Sequence, residues 1–269
     1  MSALSMESSG SGSESEAISI AYYRGYAVSK SAPEGLMAAV GLREHLVRDR
    51  IKGLGFGATI AIACVNSPDS VTVSGDSESI LSLTTALQAE GVFIRPLQTD
   101  NKAYHSHHNA AVGELYQQLL DGLYLFGKQA SADDTVGICM SSTVTCKVLH
   151  SETARTTAYW RTNFESPVQF SGGLLGLSKS FNHNTWIEIG AHSTLKLPIL
   201  QTLGKSTSYI ATLKRNQDST VSLLTCVGEL FTHDFNVDFS SSLRATIMGR
   251  LDSSMISRLT PGITRRFNG

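Results

Sequence analysis

The chain of 269 residues is short of the features that mark several large protein classes. It has no excess of either charge: 22 basic residues face 23 acidic ones, for a net charge of −1. No basic field is present to hold a nucleic-acid backbone, and no acidic tail points to a cationic partner. Cysteine is scarce. Cys64, Cys139, Cys146 and Cys226 are dispersed, with no CxxC pair and no Cys/His spacing of the zinc type. A domain of this size needs no disulfide staples, so the four read as reduced thiols of a cytoplasmic protein, with Cys64 and Cys139 as plain core residues. No apolar run approaches the length of a membrane span. The first residues, rich in Ser and Gly, lack the basic and apolar regions of a signal peptide.

Hydrophobic residues make up 41% of the chain, enough for one large domain or two small ones. Residues 1–14 read as a flexible leader, 15–240 as the folded domain, and 241–269 as a tail, broken by Pro261-Gly262 and ending near Arg265-Arg266. Glu16–Val28 suits a buried helix. Leu36–Leu42 reads as a strand, Arg43–Lys52 as a helix, and Ala58–Val65 as a strand. Asn66–Ser70 is a turn by composition, and Val71–Ser74 is the returning strand. Ser77–Glu90 carries Ile80, Leu83 and Leu87 on one helical face, with Ser77 as its N-cap and Gly91 as its stop. Val92–Leu97 is a further strand. This β-α-β-β-α-β order is the ferredoxin-like pattern, and it predicts a four-stranded antiparallel sheet with two helices on one face over residues 35–100.

Beyond it, Asn109–Leu123 is amphipathic through Val112, Leu115, Leu119 and Leu123. Thr135–Thr145 reads as strand and turn, Thr162–Ser178 as loop then helix, Thr185–Gly190 as a strand, and Thr194–Thr202 as a helix. Ser208–Leu213 is a strand and Ser219–Phe231 the last helix. Alternation of strands and helices implies an α/β layer with parallel strands. Gly53-Leu54-Gly55-Phe56-Gly57 lacks the spacing and the preceding strand of a phosphate loop and is a connection.

The most informative stretch is Ala103-Tyr104-His105-Ser106-His107-His108, between a strand and a helix. An imidazole placed there can act as a general base near neutral pH. Read with Ala21-Tyr22-Tyr23-Arg24-Gly25, Gly35–Gly41, Ala63–Asp76, Tyr159-Trp160, Asn163 with Ser166-Pro167-Val168, and Glu188-Ile189-Gly190-Ala191-His192-Ser193, it resembles the acyltransferase domain of fungal reducing iterative polyketide synthases. The resemblance implies an α/β-hydrolase-like core, incomplete here, with the ferredoxin-like subdomain inserted. It implies transfer of malonyl or a related group from coenzyme A to an acyl carrier protein through a serine acyl-enzyme, with a histidine as base and then acid. No cofactor is bound. The CoA thioester is substrate, the carrier brings phosphopantetheine, and the partners are the carrier and other synthase domains, with no nucleic acid and no membrane.

Carried onto this sequence, the resemblance gives His105 the base position and Arg24 the site for the malonyl carboxylate. Ala103 and Tyr104 take the places that bias extender choice, toward malonyl. The turn at His192 is expected near His105, with Ala191 where the family has Pro. Asn109 replaces the usual Met and favours a helix start. The family nucleophile, a GHSxG serine roughly two dozen residues before Arg24, has no counterpart, since Gly10-Ser11-Gly12 follows no apolar strand. The expectation is therefore an N-terminally truncated domain, inactive alone for want of the serine and the oxyanion hole. Two other readings stand beside it: a non-catalytic docking fragment, and an unrelated hydrolase using His105 with another nucleophile.

Overall fold

The computed structural model describes residues 14–123, 140–149, 156–180 and 185–238. The tail 241–269, Cys139 and residues 135–139 of the expected strand lie outside them, as does the leader up to residue 13. The described residues up to 180, with Pro198–Lys205, form one compact unit; those from 185 to Leu197 and from Ser206 onward form another. No helix among them is long and apolar enough to cross a membrane.

The first unit opens with α1 (Glu14–Ser31), β1 (Leu36–Val40), α2 (Glu44–Gly53), β2 (Ile60–Ser67), β3 (Ser70–Gly75), α3 (Ser77–Ala89) and β4 (Ile94–Pro96). β1 lies between β4 and β3, and β3 pairs with β2, every contact antiparallel. This is the ferredoxin-like order. Each element is driven by its own period. Val47 and Ile51 sit four apart on α2, and Ile80, Leu83 and Leu87 line α3. They meet Ala38, Val40, Ile60, Ile62, Val71, Val73 and Ile94 in one apolar cluster, so both helices cover the same face. Gly91, at φ +73°, adopts the left-handed turn that ends α3. Ion pairs Arg48–Glu44 and Arg50–Glu90 lie on the solvent side and add little.

The rest of the unit holds α4 (Asn109–Asp121), β5 (Met140–Ser141), β6 (Val148–Leu149), α5 (Thr157–Glu165), β7 (Val168–Gln169) and α6 (Phe170–Ser180). A second apolar cluster joins Ile20, Ala27 and Val28 of α1, Val112, Tyr116 and Leu120 of α4, and Tyr159, Trp160 and Phe164 of α5. β7 adds a fifth, parallel strand beside β2, Cys64 opposite Val168. The second unit has β8 (Thr185–Glu188) and β9 (Ser208–Ala211) as a parallel pair, with α8 (Ser219–Thr232) against β9; α7 (Lys196–Leu203) lies between these strands in the chain.

Several expectations are corrected. Residues 162–165 are the last turn of α5 and not a loop, because Trp160 and Phe164, four apart, are both buried against α4 and α1. β2 continues through Ser67, which pairs with Ser70, so the turn shrinks to Pro68-Asp69. The N-cap of α3 is Asp76 and not Ser77, and its carboxylate makes no capping bond. Cys64 is half-buried, not a core residue; burial pushes its thiol up to about 11.

Candidate active site

Arg24 lies on the face of α1 that also presents Ile20, Ala27 and Val28 to the helical cluster. Its guanidinium donates to Asn163 Oδ1 at 3.1 Å and stands 5.1 Å above the Phe164 ring. Burial lowers its proton affinity, while Tyr116 and Tyr104 act the other way. No carboxylate among the described residues pairs with it. A half-desolvated cation with one neutral partner keeps its charge available to an anion.

His105 sits in the turn before α4 at φ +58°, a left-handed conformation that costs energy for a residue with a side chain. Ser106 holds this turn. Its hydroxyl donates to Ala103 O at 2.7 Å and accepts from the His108 amide at 3.2 Å. His105 Nδ1 donates to Ser166 O at 2.8 Å. A carbonyl can only accept, so Nδ1 carries the proton and Nε2 keeps its lone pair. Burial first, and then the Arg24 charge, bring the imidazole down to about 4, against the Ser166 carbonyl that raises it. The ring is therefore neutral at physiological pH.

The structure thus brings His105 and Arg24 to the same place. Both are anchored by residues 163–166: Arg24 on the Asn163 side chain, His105 on the Ser166 carbonyl just past the end of α5. Tyr104 packs against the helical cluster, and Ala103 is buried. Asn109 does open α4, but not by capping. Its amide donates to Phe164 O at 3.1 Å and ties α4 to α5. The Gly190–His192 turn belongs to the second unit. There Glu188 accepts from the Thr194 amide and hydroxyl, the Leu195 amide and the Tyr209 hydroxyl. His192 Nδ1 accepts from the Arg215 amide at 3.3 Å.

Two partners were not read from sequence. Asn163 stood only as part of a motif, without a role, and Ser166 contributes a backbone oxygen that no side-chain pattern reveals. Asp76 is a third surprise. Its Oδ1 accepts from His108 Nε2 at 2.7 Å and His107 Nε2 at 3.1 Å. The two rings stand perpendicular, 4.4 Å apart.

Residues 3–237 match the family model of the acyl transferase domain. The chain belongs to this acyl transferase domain family. It is 42% identical over 231 residues to the highly reducing polyketide synthase anuA of Penicillium roqueforti (strain FM164), covering 85% of this chain and 11% of that protein. It is 41% identical over 240 residues to highly reducing polyketide synthase 19 of Pyricularia oryzae (strain 70-15 / ATCC MYA-4617 / FGSC 8958), covering 84% and 9%. The chain thus spans about a tenth of the length of these relatives. Among solved structures, the acyltransferase domain from module 8 of the salinomycin polyketide synthase superposes with TM-score 0.75 at 25% identity, over 87% of this chain and 53% of that one. A loading acyltransferase from the avermectin modular polyketide synthase gives TM-score 0.73 at 25% identity, over 84% and 68%. The acyl transferase domain is therefore of polyketide-synthase type, with the α/β acyltransferase fold.

Proposed function

We propose that this acyl transferase domain handles malonyl or a similar carboxylated acyl group on coenzyme A, for delivery to the phosphopantetheine thiol of an acyl carrier protein in a polyketide synthase. The observation that carries this reading is the pairing of a half-buried Arg24, with no carboxylate partner among the described residues, with a neutral His105 on one segment, residues 163–166. Arg24 takes the free carboxylate of the acyl group, and Asn163 keeps the guanidinium in place through its Oδ1. His105 supplies the lone pair of Nε2. In the transfer, a serine hydroxyl attacks the thioester carbon and passes its proton to Nε2. The C–S bond breaks, and the CoA sulfur leaves with that proton. The carrier thiol then repeats the exchange in reverse. Residues 35–100 act as the inserted subdomain in this reading.

The 269 residues contain no Gly-x-Ser-x-Gly elbow. We accordingly expect no acyl-enzyme from this polypeptide by itself, since this reading gives His105 no elbow serine to deprotonate and no elbow amide to complete an oxyanion hole. The second reading is a docking piece of a synthase without catalysis of its own.

Arg24 separates the two. A charge-assisted bond to the carboxylate is worth about 1.5–3 kcal/mol, so malonyl-CoA should bind roughly ten- to a hundredfold tighter than acetyl-CoA. Calorimetric titration of the chain with each thioester tests it, and Arg24→Leu should erase the difference. Equal affinities in the unsubstituted chain refute the carboxylate role. Intact mass after incubation with malonyl-CoA should show no adduct; stoichiometric acylation of a serine refutes the inactivity.

A further inference from the structure

We propose that Asp76, His107 and His108 form a binding site for a divalent transition-metal ion of the zinc class. The three residues come from two places in the chain: Asp76 from the junction of β3 and α3, and the histidines from the turn before α4. Their ligand atoms converge. Oδ1 of Asp76 lies 2.7 Å from His108 Nε2 and 3.1 Å from His107 Nε2, and all three atoms lie within 4.8 Å of one another. Ligands at about 2.0–2.1 Å from a tetrahedral zinc ion stand roughly 3.3 Å apart, so the contact from His108 needs to open by about 0.6 Å and that from His107 by about 0.2 Å. Two imidazoles and one carboxylate suit zinc, copper or nickel rather than magnesium or calcium. Asp76 and His107 keep nearly half of their side-chain surface exposed, which leaves a face for water ligands.

Two further observations set this cluster apart from an ordinary surface ion pair. Asp76 occupies the N-cap of α3, where a carboxylate normally accepts from the helix amides, yet it makes no capping bond and turns to the histidines instead. The His108 side chain is only 9% exposed, and its Nδ1 is buried with no hydrogen-bond partner among the described residues. The carboxylate Oδ1 only accepts, so without metal both histidines carry their proton on Nε2. Ligation through Nε2 moves that proton to Nδ1. The buried Nδ1 of His108 then has no acceptor behind it, and a missing outer partner lowers metal affinity by about 10–100-fold. With only three protein ligands as well, the site is expected to bind zinc with a dissociation constant on the order of micromolar, weaker than dedicated structural zinc centres.

The test uses the whole chain, stripped by chelator and titrated with zinc against a chromophoric competitor. One ion should bind with a dissociation constant on the order of micromolar. Long-range proton–nitrogen spectra should show His107 and His108 exchange Nε2–H for Nδ1–H as zinc is added. His107→Ala, at an exposed position, and Asp76→Asn, at a half-buried one, should each weaken binding by about tenfold or more, with circular dichroism unchanged. Cys64→Ser should leave it as it was. The proposal is overturned if the chain takes up no zinc in this range. It is equally overturned if His107→Ala and Asp76→Asn bind as the parent does, or if the two imidazoles keep their Nε2 protons in saturating zinc.

Discussion

Protonating His105 should cost the fold a measurable amount. Its ordinary value of 6.5 falls to about 4 in the folded chain. A shift of one unit corresponds to 1.36 kcal/mol, so the full difference is about 3 kcal/mol. The sign follows from proton counting. Between pH 6.5 and 4 the unfolded chain binds the proton and the folded chain does not, so stability rises with pH across that window. Above pH 6.5 the imidazole is neutral in both states and carries no penalty. Below about 4 it is charged in both, and the whole penalty is expressed. Burial is the larger cause and the Arg24 charge the second, so Arg24→Leu should return only part of the shift. The assay is urea unfolding at several pH values between 7 and 4.5, with chelator present, on the parent and on His105→Gln. The parent should lose about 2–3 kcal/mol more than the variant over that range. The His105 Cε1 proton, followed by NMR, should stay in its neutral position down to about pH 5. Asp76, whose bond from His108 above all holds its carboxyl below the usual range, adds acid loss only as pH falls through and below the ordinary carboxylate range, under the window of this assay. A His105 resonance that titrates near 6.5, or parallel stability curves for parent and variant, refutes the burial argument.

Two further outcomes follow from local geometry. Gly35→Ala would place a Cβ 2.6 Å from Ala103 Cβ, 2.7 Å from the Gly75 carbonyl and 2.9 Å from His108 Cε1. Neither the backbone oxygen nor the buried alanine can give way cheaply, so thermal unfolding should show a loss of about 1–3 kcal/mol; an unchanged midpoint refutes the close packing. Cys64, with its thiol pushed up to about 11 by burial, carries only on the order of one thiolate in a thousand at pH 8, so iodoacetamide should label it about a hundredfold more slowly than a free cysteine. Mass mapping that finds Cys64 labelled at the free-thiol rate overturns the assignment.

The ferredoxin-like part of the fold was legible because each element declares itself locally. Ile80, Leu83 and Leu87 need only a helix to share a face, and Val71 and Val73 need only a strand. β7 was not legible. Two residues, Val168 and Gln169, pair with Cys64 and Val65 across a hundred positions, and no local period encodes such a contact. The end of α5 was misread for the opposite reason. Asn163, Ser166 and Pro167 have loop chemistry, but Trp160 and Phe164 bury against α4 and α1, and tertiary burial outweighs weak propensity.

The site divides in the same way. His105 and Arg24 were visible as residue types in motifs, whereas what fixes their chemistry comes from elsewhere in the chain. The Ser166 carbonyl sets the tautomer of His105, and the Asn163 amide oxygen holds Arg24 without neutralising it. Had residue 163 been an aspartate at the same distance, Arg24 would have been paired internally and closed to a substrate carboxylate. An uncharged acceptor there keeps the guanidinium oriented and its charge available. Asp76 shows the converse. A residue whose position before α3 predicts a cap is drawn off by two imidazoles more than thirty residues away, because a bond from His108 at 2.7 Å offers its carboxylate a better partner than the amides of the helix start.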